Sequence, residues 1–129
     1  GLESRTHVMG FVPISDLVSL YRGAFALAYV SLFGPDNLPP LEAFALGCPV
    51  VAANVAEEQL GDAAVTVDAT RPEAIAAAVR SLRDPDRRSE LIARGHARAR
   101  IFTGDDFVRG VFAQIDALVP YLRCWRPDR

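Results

Sequence analysis

Two nearly uninterrupted apolar runs, Phe25-Ala-Leu-Ala-Tyr-Val-Ser-Leu32 and Cys48-Pro-Val-Val-Ala-Ala53, constrain this chain more than any other feature. A strand that is apolar on both faces has to be covered on both faces, which is the position of a central strand in a parallel sheet flanked by helices. The segment between the two runs reads as a glycine/proline loop and then a helix over Leu38–Leu46. That helix opens on Pro39-Pro40, where missing backbone donors cost nothing, and stops at Gly47. Strand, helix and strand in that order form a βα unit.

Further strands are expected at Thr6–Val12 and Ala64–Asp68, and the first two strands should be joined by a helix over Ser15–Arg22. There Ser15 and Asp16 are the capping candidates, Leu17, Leu20 and Tyr21 share one face, and Gly23 is the stop. The second half changes character. Helical periodicity runs through Glu73–Leu82, Arg87–Ile101 and Asp105–Leu122, with Asp84-Pro85-Asp86 and Thr103-Gly104-Asp105 as turn and cap signals. The fold class is therefore α/β, a Rossmann-like parallel sheet followed by C-terminal helices, and residues 1–129 form a single domain without repeats or linkers.

Composition narrows the function. Half of the 129 residues are apolar and the formal net charge is −2, the balance of a folded domain without the basic footprint of a nucleic-acid or lipid-surface binder. The one basic concentration, Arg87, Arg88, Arg94, Arg98 and Arg100 around Glu90, reads as a solvated helix face. Cys48 and Cys124 have no partner at metal-ligand spacing and are expected to be reduced thiols, so no metal is implied. No apolar stretch approaches the roughly 20 residues of a membrane-spanning helix, and the expected address is the cytoplasm, including a position peripheral to a membrane.

Chemistry is concentrated between Ser31 and Asn54. In open α/β sheets ligands bind at the carboxyl ends of the strands, where the loop Gly34–Asn37 leads into a helix whose first amides, Leu38 among them, can hold a phosphate or a sugar hydroxyl. Glu42 lies about one turn inside. Its carboxylate can accept two parallel hydrogen bonds from a ribose diol, or it can simply complement the helix dipole. Likewise Asn37 is a cap or a ligand, and Asp36 a turn residue or a ligand.

Leu38-Pro-Pro-Leu-Glu-Ala43 and Gly47-Cys-Pro-Val-Val-Ala52 together resemble the donor-site signature of retaining GT-B glycosyltransferases of family four. In that family a strand ending in Pro-Ser leads to Glu-Gly-Phe-Gly-Leu-Pro-Pro-Leu-Glu-Ala and then Gly-Cys-Pro-Val-Val-Ala-Ser. Val8-Met-Gly-Phe-Val12 is similar to the strand and loop under the nucleobase, Glu58-Gln-Leu-Gly-Asp62 to a Glu-x-x-Gly-Asp segment, and Ile101-Phe-Thr103 to the start of the last helix. The resemblance implies transfer of a hexose from a nucleotide-diphosphate sugar, as donor substrate and without a cofactor, to an acceptor with retention. Glu42 matches the second glutamate of a paired-glutamate motif and would bind the ribose hydroxyls. Asp36, Asn37 and Leu38 fall where backbone amides approach the donor sugar and phosphates, and Phe11 and Val12 where the main chain meets the base. Glu58 matches by position, and is equally readable as a capping or solvated acid.

The departures are specific. Gly34 stands where the family has its first glutamate, Pro35-Asp-Asn37 replaces Gly-Phe-Gly, and the loop Asn54–Glu57 is shortened. Asp36 offers a substitute carboxylate. The resemblance covers only the later part of the second of two Rossmann-like domains. The basic residues that neutralise the diphosphate and the acceptor domain would precede Gly1, so no catalytic residue is expected in this chain, which alone should not turn over. An incomplete sheet leaves an edge open to self-association. Loss of the first glutamate also fits a noncatalytic binding or scaffolding module of the same fold. A flavodoxin-like or receiver-type domain would need an acidic cluster or flavin loop at early strand ends.

Overall fold

The computed structural model describes residues 1–33 and 38–124, the side chains at Ala56 and at 122–124 excepted. Its centre is a three-stranded sheet of β1 (Leu27–Tyr29), β2 (Val50–Ala53) and β3 (Ala64–Val67) in the order β1-β2-β3, with both pairings parallel. Leu27 pairs with Val50 and Val50 with Ala64, so the strands start level. Every residue of β2 is buried, as its unbroken apolar run predicts. Val50 and Ala52 face one side and Val51 the other, an alternation that divides the core in two.

On the first face lie α2 (Leu38–Ala45) and the short α3 (Glu57–Leu60), which add Ala43, Phe44 and Leu60 to Cys48, Val50, Ala52 and Ala63. Tyr21 of α1 (Ile14–Gly23) packs against this cluster. On the second face α4 (Pro72–Ser81) and the start of α5 (Pro85–Ala99) close Ala78, Leu82 and Leu91 over Val51. The two helices α2 and α5 meet so closely that a Cβ at Gly95 would stand 2.9 Å from Cδ1 of the buried Phe44.

Chain punctuation explains the boundaries. Gly47, at φ +74°, ends α2 with paired bonds from Gly47 N to Phe44 O (3.2 Å) and from Cys48 N to Ala43 O (2.8 Å), which turn the chain straight into β2. Asp84 caps α5 by accepting from the amides of Asp86 and Arg87, with Pro85 in the first turn. Thr103 Oγ1 accepts from Asp106 N at 3.1 Å and opens α6 (Gly104–Cys124).

Three expectations are corrected. Thr6–Val12 forms no strand: it is irregular backbone, Gly10 has φ +61°, and Val8 and Phe11 are almost fully exposed. A strand needs a hydrogen-bonding neighbour, and the three described strands pair only with one another. Second, α1 begins a residue early, its N-cap is Pro13, and the side chains of Ser15 and Asp16 make no capping bond, Ser15 Oγ donating instead to Asp16 Oδ1. Third, the basic face of α5 is not simply solvated. Arg88 donates to Phe25 O and stacks on its ring, Arg94 reaches Asp62, and Arg98 donates to Glu58 O (2.6 Å) and Gln59 O (2.8 Å). Cys48 is a buried free thiol, whereas the side chain of Cys124 lies outside the described residues. No described helix is long and apolar enough to cross a membrane.

Candidate functional site

Parallel strands carry their ligand side at their carboxyl ends, here beyond Tyr29, Ala53 and Val67. The crossover leaving β1 returns as α2, so Leu38 starts at that rim and Glu42 follows one turn below it. Side chains on a helix lean toward its N-terminus, so Glu42 is aimed back toward the rim. Its carboxylate is exposed to water, and Oε2 accepts a hydrogen bond of 3.2 Å from the hydroxyl of Tyr21. Tyr21 is half-buried against the first core cluster. Burial first, and then the charge and hydrogen bond of Glu42, with a smaller push from Cys48, raise its phenol to about 12.

The amide cup at the start of α2 is thinner than a generic helix end provides. Pro39 and Pro40 have no N–H, and Pro40 is buried, so only Leu38 and Leu41 bring donors within the first four positions. Leu38 itself is exposed. Gly34, Asp36 and Asn37 lie outside the described residues.

The crossover leaving β2 passes through Asn54–Ala56 into α3, which places Glu58 beyond the second strand. The side chain of Glu58 is exposed, while its carbonyl is tied to Arg98. Beyond β3, Asp68 accepts from Thr70 N (2.9 Å) and Thr70 Oγ1 (2.6 Å), bonds that hold its carboxyl below the usual range. Phe11 and Val12 sit in the irregular N-terminal segment, with Phe11 97 % exposed. Among the described residues no hydrogen bond joins Phe11, Val12, Leu38, Glu42 and Glu58 to one another.

Two surface hollows lie away from this rim. One of about 520 Å³ runs between the end of α1 and Leu27 and is lined by Tyr21 and Cys48 among others. The second, wider one lies between Gly61–Thr66 and Asp84–Arg94. Both open at the amino ends of the strands, and Glu42 lines neither. The rim is preferred as the site because a parallel sheet aims its connecting loops and helix starts there, whereas the larger hollow is bordered by the exposed Asp62, Glu90 and Arg94, which satisfy one another. Among the described residues no group of three His, Cys, Asp or Glu is placed to hold a metal ion.

Tyr21 is the partner of Glu42 that sequence reading placed only on an apolar helix face. The signal was an aromatic hydroxyl at the end of a half-buried helix, which needs a polar partner, but the 21-residue separation from Glu42 hid which one.

A Rossmann-like parallel sheet with an acid-bearing helix opening at its carboxyl rim defines the class. Residues 1–84 match the family described as Glycosyl transferases group 1, and the chain belongs to that family. It is 39 % identical over 107 residues to the O-antigen chain mannosyltransferase B of Escherichia coli, covering 81 % of this chain and 28 % of that protein. It is also 35 % identical over 104 residues to a D-inositol 3-phosphate glycosyltransferase of Acidothermus cellulolyticus, covering 78 % and 23 %. A protein of the same description from Corynebacterium glutamicum is 36 % identical over 90 residues, covering 67 % and 22 %. The chain thus spans about a quarter of the length of these curated relatives.

Proposed function

We propose that this chain is the donor-nucleotide-binding portion of a glycosyltransferase that moves a hexose from a nucleotide-diphosphate sugar to an acceptor with retention, working in the cytoplasm. The observation that carries the reading is Glu42, one turn inside the helix that leaves β1, with one carboxylate oxygen already engaged by Tyr21. A carboxylate accepts about four hydrogen bonds, so both hydroxyls of a ribose still find acceptor positions on it. Leu38 N–H would approach the diphosphate, Phe11 and Val12 the base, and Glu58 with Asp36 and Asn37 the donor sugar. The name of one relative, a mannosyltransferase, supports a hexosyl donor, and those of the other two support glycosyl transfer.

Chemistry at the anomeric carbon requires stabilised charge on the departing diphosphate, a large electrostatic contribution. Two amides at the start of α2 are a small share of it. The acceptor domain and the basic residues of such an enzyme would be supplied outside residues 1–129, and the chain alone binds without turnover. The open edge of β1 would also pair with a second copy, which light scattering at high concentration would register as a dimer.

The test is a calorimetric titration with ADP, GDP and UDP. One of them binds, and Glu42→Ala weakens it by at least about tenfold, the loss of charge-assisted hydrogen bonds to the diol. Unchanged affinity in Glu42→Ala sinks the assignment. The noncatalytic reading is favoured by Gly34, which removes the family's first carboxylate; it is selected if nucleotide binds but no sugar nucleotide is consumed when the chain is extended to the length of its relatives.

A further inference from the structure

The contact between Tyr21 and Glu42 is unlike the other polar contacts among the described residues. The remaining side-chain pairs are close neighbours in sequence or exposed ion pairs, whereas this one ties two helices across 21 residues. Tyr21 packs against the first core cluster, so its hydroxyl is presented from a fixed base. Glu42 has no such anchor. It is a long, exposed side chain on α2, and without Tyr21 it would sample its rotamers freely.

We propose that Tyr21 is a positioning residue, which holds Glu42 Oε2 so that the carboxylate is preorganised and its free acceptor positions meet the vicinal hydroxyls of a ribose. The proposal rests on the reading of Glu42 as the diol acceptor and adds to it the residue that sets that acceptor's orientation. A hydrogen bond to Oε2 restricts the rotamers of Glu42 and leaves Oε1 free to accept. Freezing a glutamate on binding costs affinity, and a partner that freezes it in the free protein removes that cost. The raised ionisation of the phenol is the expected companion of a hydroxyl that is partly desolvated and faces a carboxylate.

Two measurements test this on the chain itself. The first needs no ligand. The sequence contains no lysine, all 14 cationic side chains being arginine, so an ultraviolet titration from pH 9 to 13 follows the three tyrosines without amine ionisation. The late step, near 12, disappears in Tyr21→Phe and moves toward 10 in Glu42→Gln. If Glu42→Gln leaves it in place, the pair does not form in solution and the proposal is overturned.

The second measurement compares the best-binding diphosphate among ADP, GDP and UDP with its 2′,3′-dideoxy counterpart. Tyr21→Phe keeps the ring in the core and removes only the hydroxyl. It should weaken the ribonucleotide by roughly tenfold, leave the dideoxy form unchanged, and add nothing to Glu42→Gln in the double variant. Equal loss for both nucleotides marks a purely structural residue and overturns the positioning role. So does no loss in Tyr21→Phe when Glu42→Gln is impaired, an outcome that leaves the site assignment standing. If Glu42→Gln binds as well as the parent, the site assignment itself fails and the positioning role fails with it.

Discussion

At the scale of single residues, the Tyr21 hydroxyl couples this fold to alkaline pH. Its ionisation lies near 10 in an unfolded chain and at about 12 in the folded one. Below pH 10 both states hold the proton and the contribution is complete. Between 10 and 12 the unfolded chain releases it while the folded chain keeps it, so stability falls as pH rises. Denaturant melts should show a decline over that window, shallower than the one-proton limit of about 1.4 kcal/mol per pH unit because the group is only partly buried. Tyr21→Phe should lack this component. A profile identical in the two proteins would mean that the phenol is not held as described.

Elements are where most of the fold was legible. The continuous apolar runs announced both strands, but only β2 is central and buried throughout, whereas β1 lies at the edge of the described sheet and is half-buried, and Gly47, Asp84 and Thr103 marked helix ends through local chemistry that requires no knowledge of the rest. Thr6–Val12 was not legible for the complementary reason: β-propensity reports fitness for a sheet, not the presence of a neighbour. The short helix α3 escaped because four residues carry no measurable period. Glu42 could be named a candidate from the sequence and its partner Tyr21 could not, since pairing between helices depends on the fold. Gly95 gives an element-scale prediction. Alanine is the better helix former by about 1 kcal/mol, yet its Cβ would press on the ring of Phe44, which has no room to give. Gly95→Ala should therefore lose about 1–2 kcal/mol in urea denaturation, while Ala97→Gly on the exposed face loses only its propensity.

For the whole molecule, exposed area is the telling quantity. The chain leaves 9682 Å² accessible, whereas a compact protein of its 14.0 kDa exposes about 6,700 Å². The excess is carried by the N-terminal segment and by α6, whose Phe107, Val111, Phe112, Ile115 and Leu118 stay in water. Unfolding therefore uncovers less new surface than the length suggests. Calorimetry should give a heat-capacity increment below the roughly 1.5–1.9 kcal/mol/K expected of 129 residues, and removal of residues 104–129 should leave the melting temperature within a few degrees. A normal increment, or a collapse on truncation, would mean that α6 is packed.

The guanidinium of Arg98 holds carbonyls forty residues behind it, and Arg88 grips one at Phe25. On a ribosome, those early loops are made long before the helix that fastens them. These loops must therefore wait, unfastened, until α5 has cleared the exit tunnel.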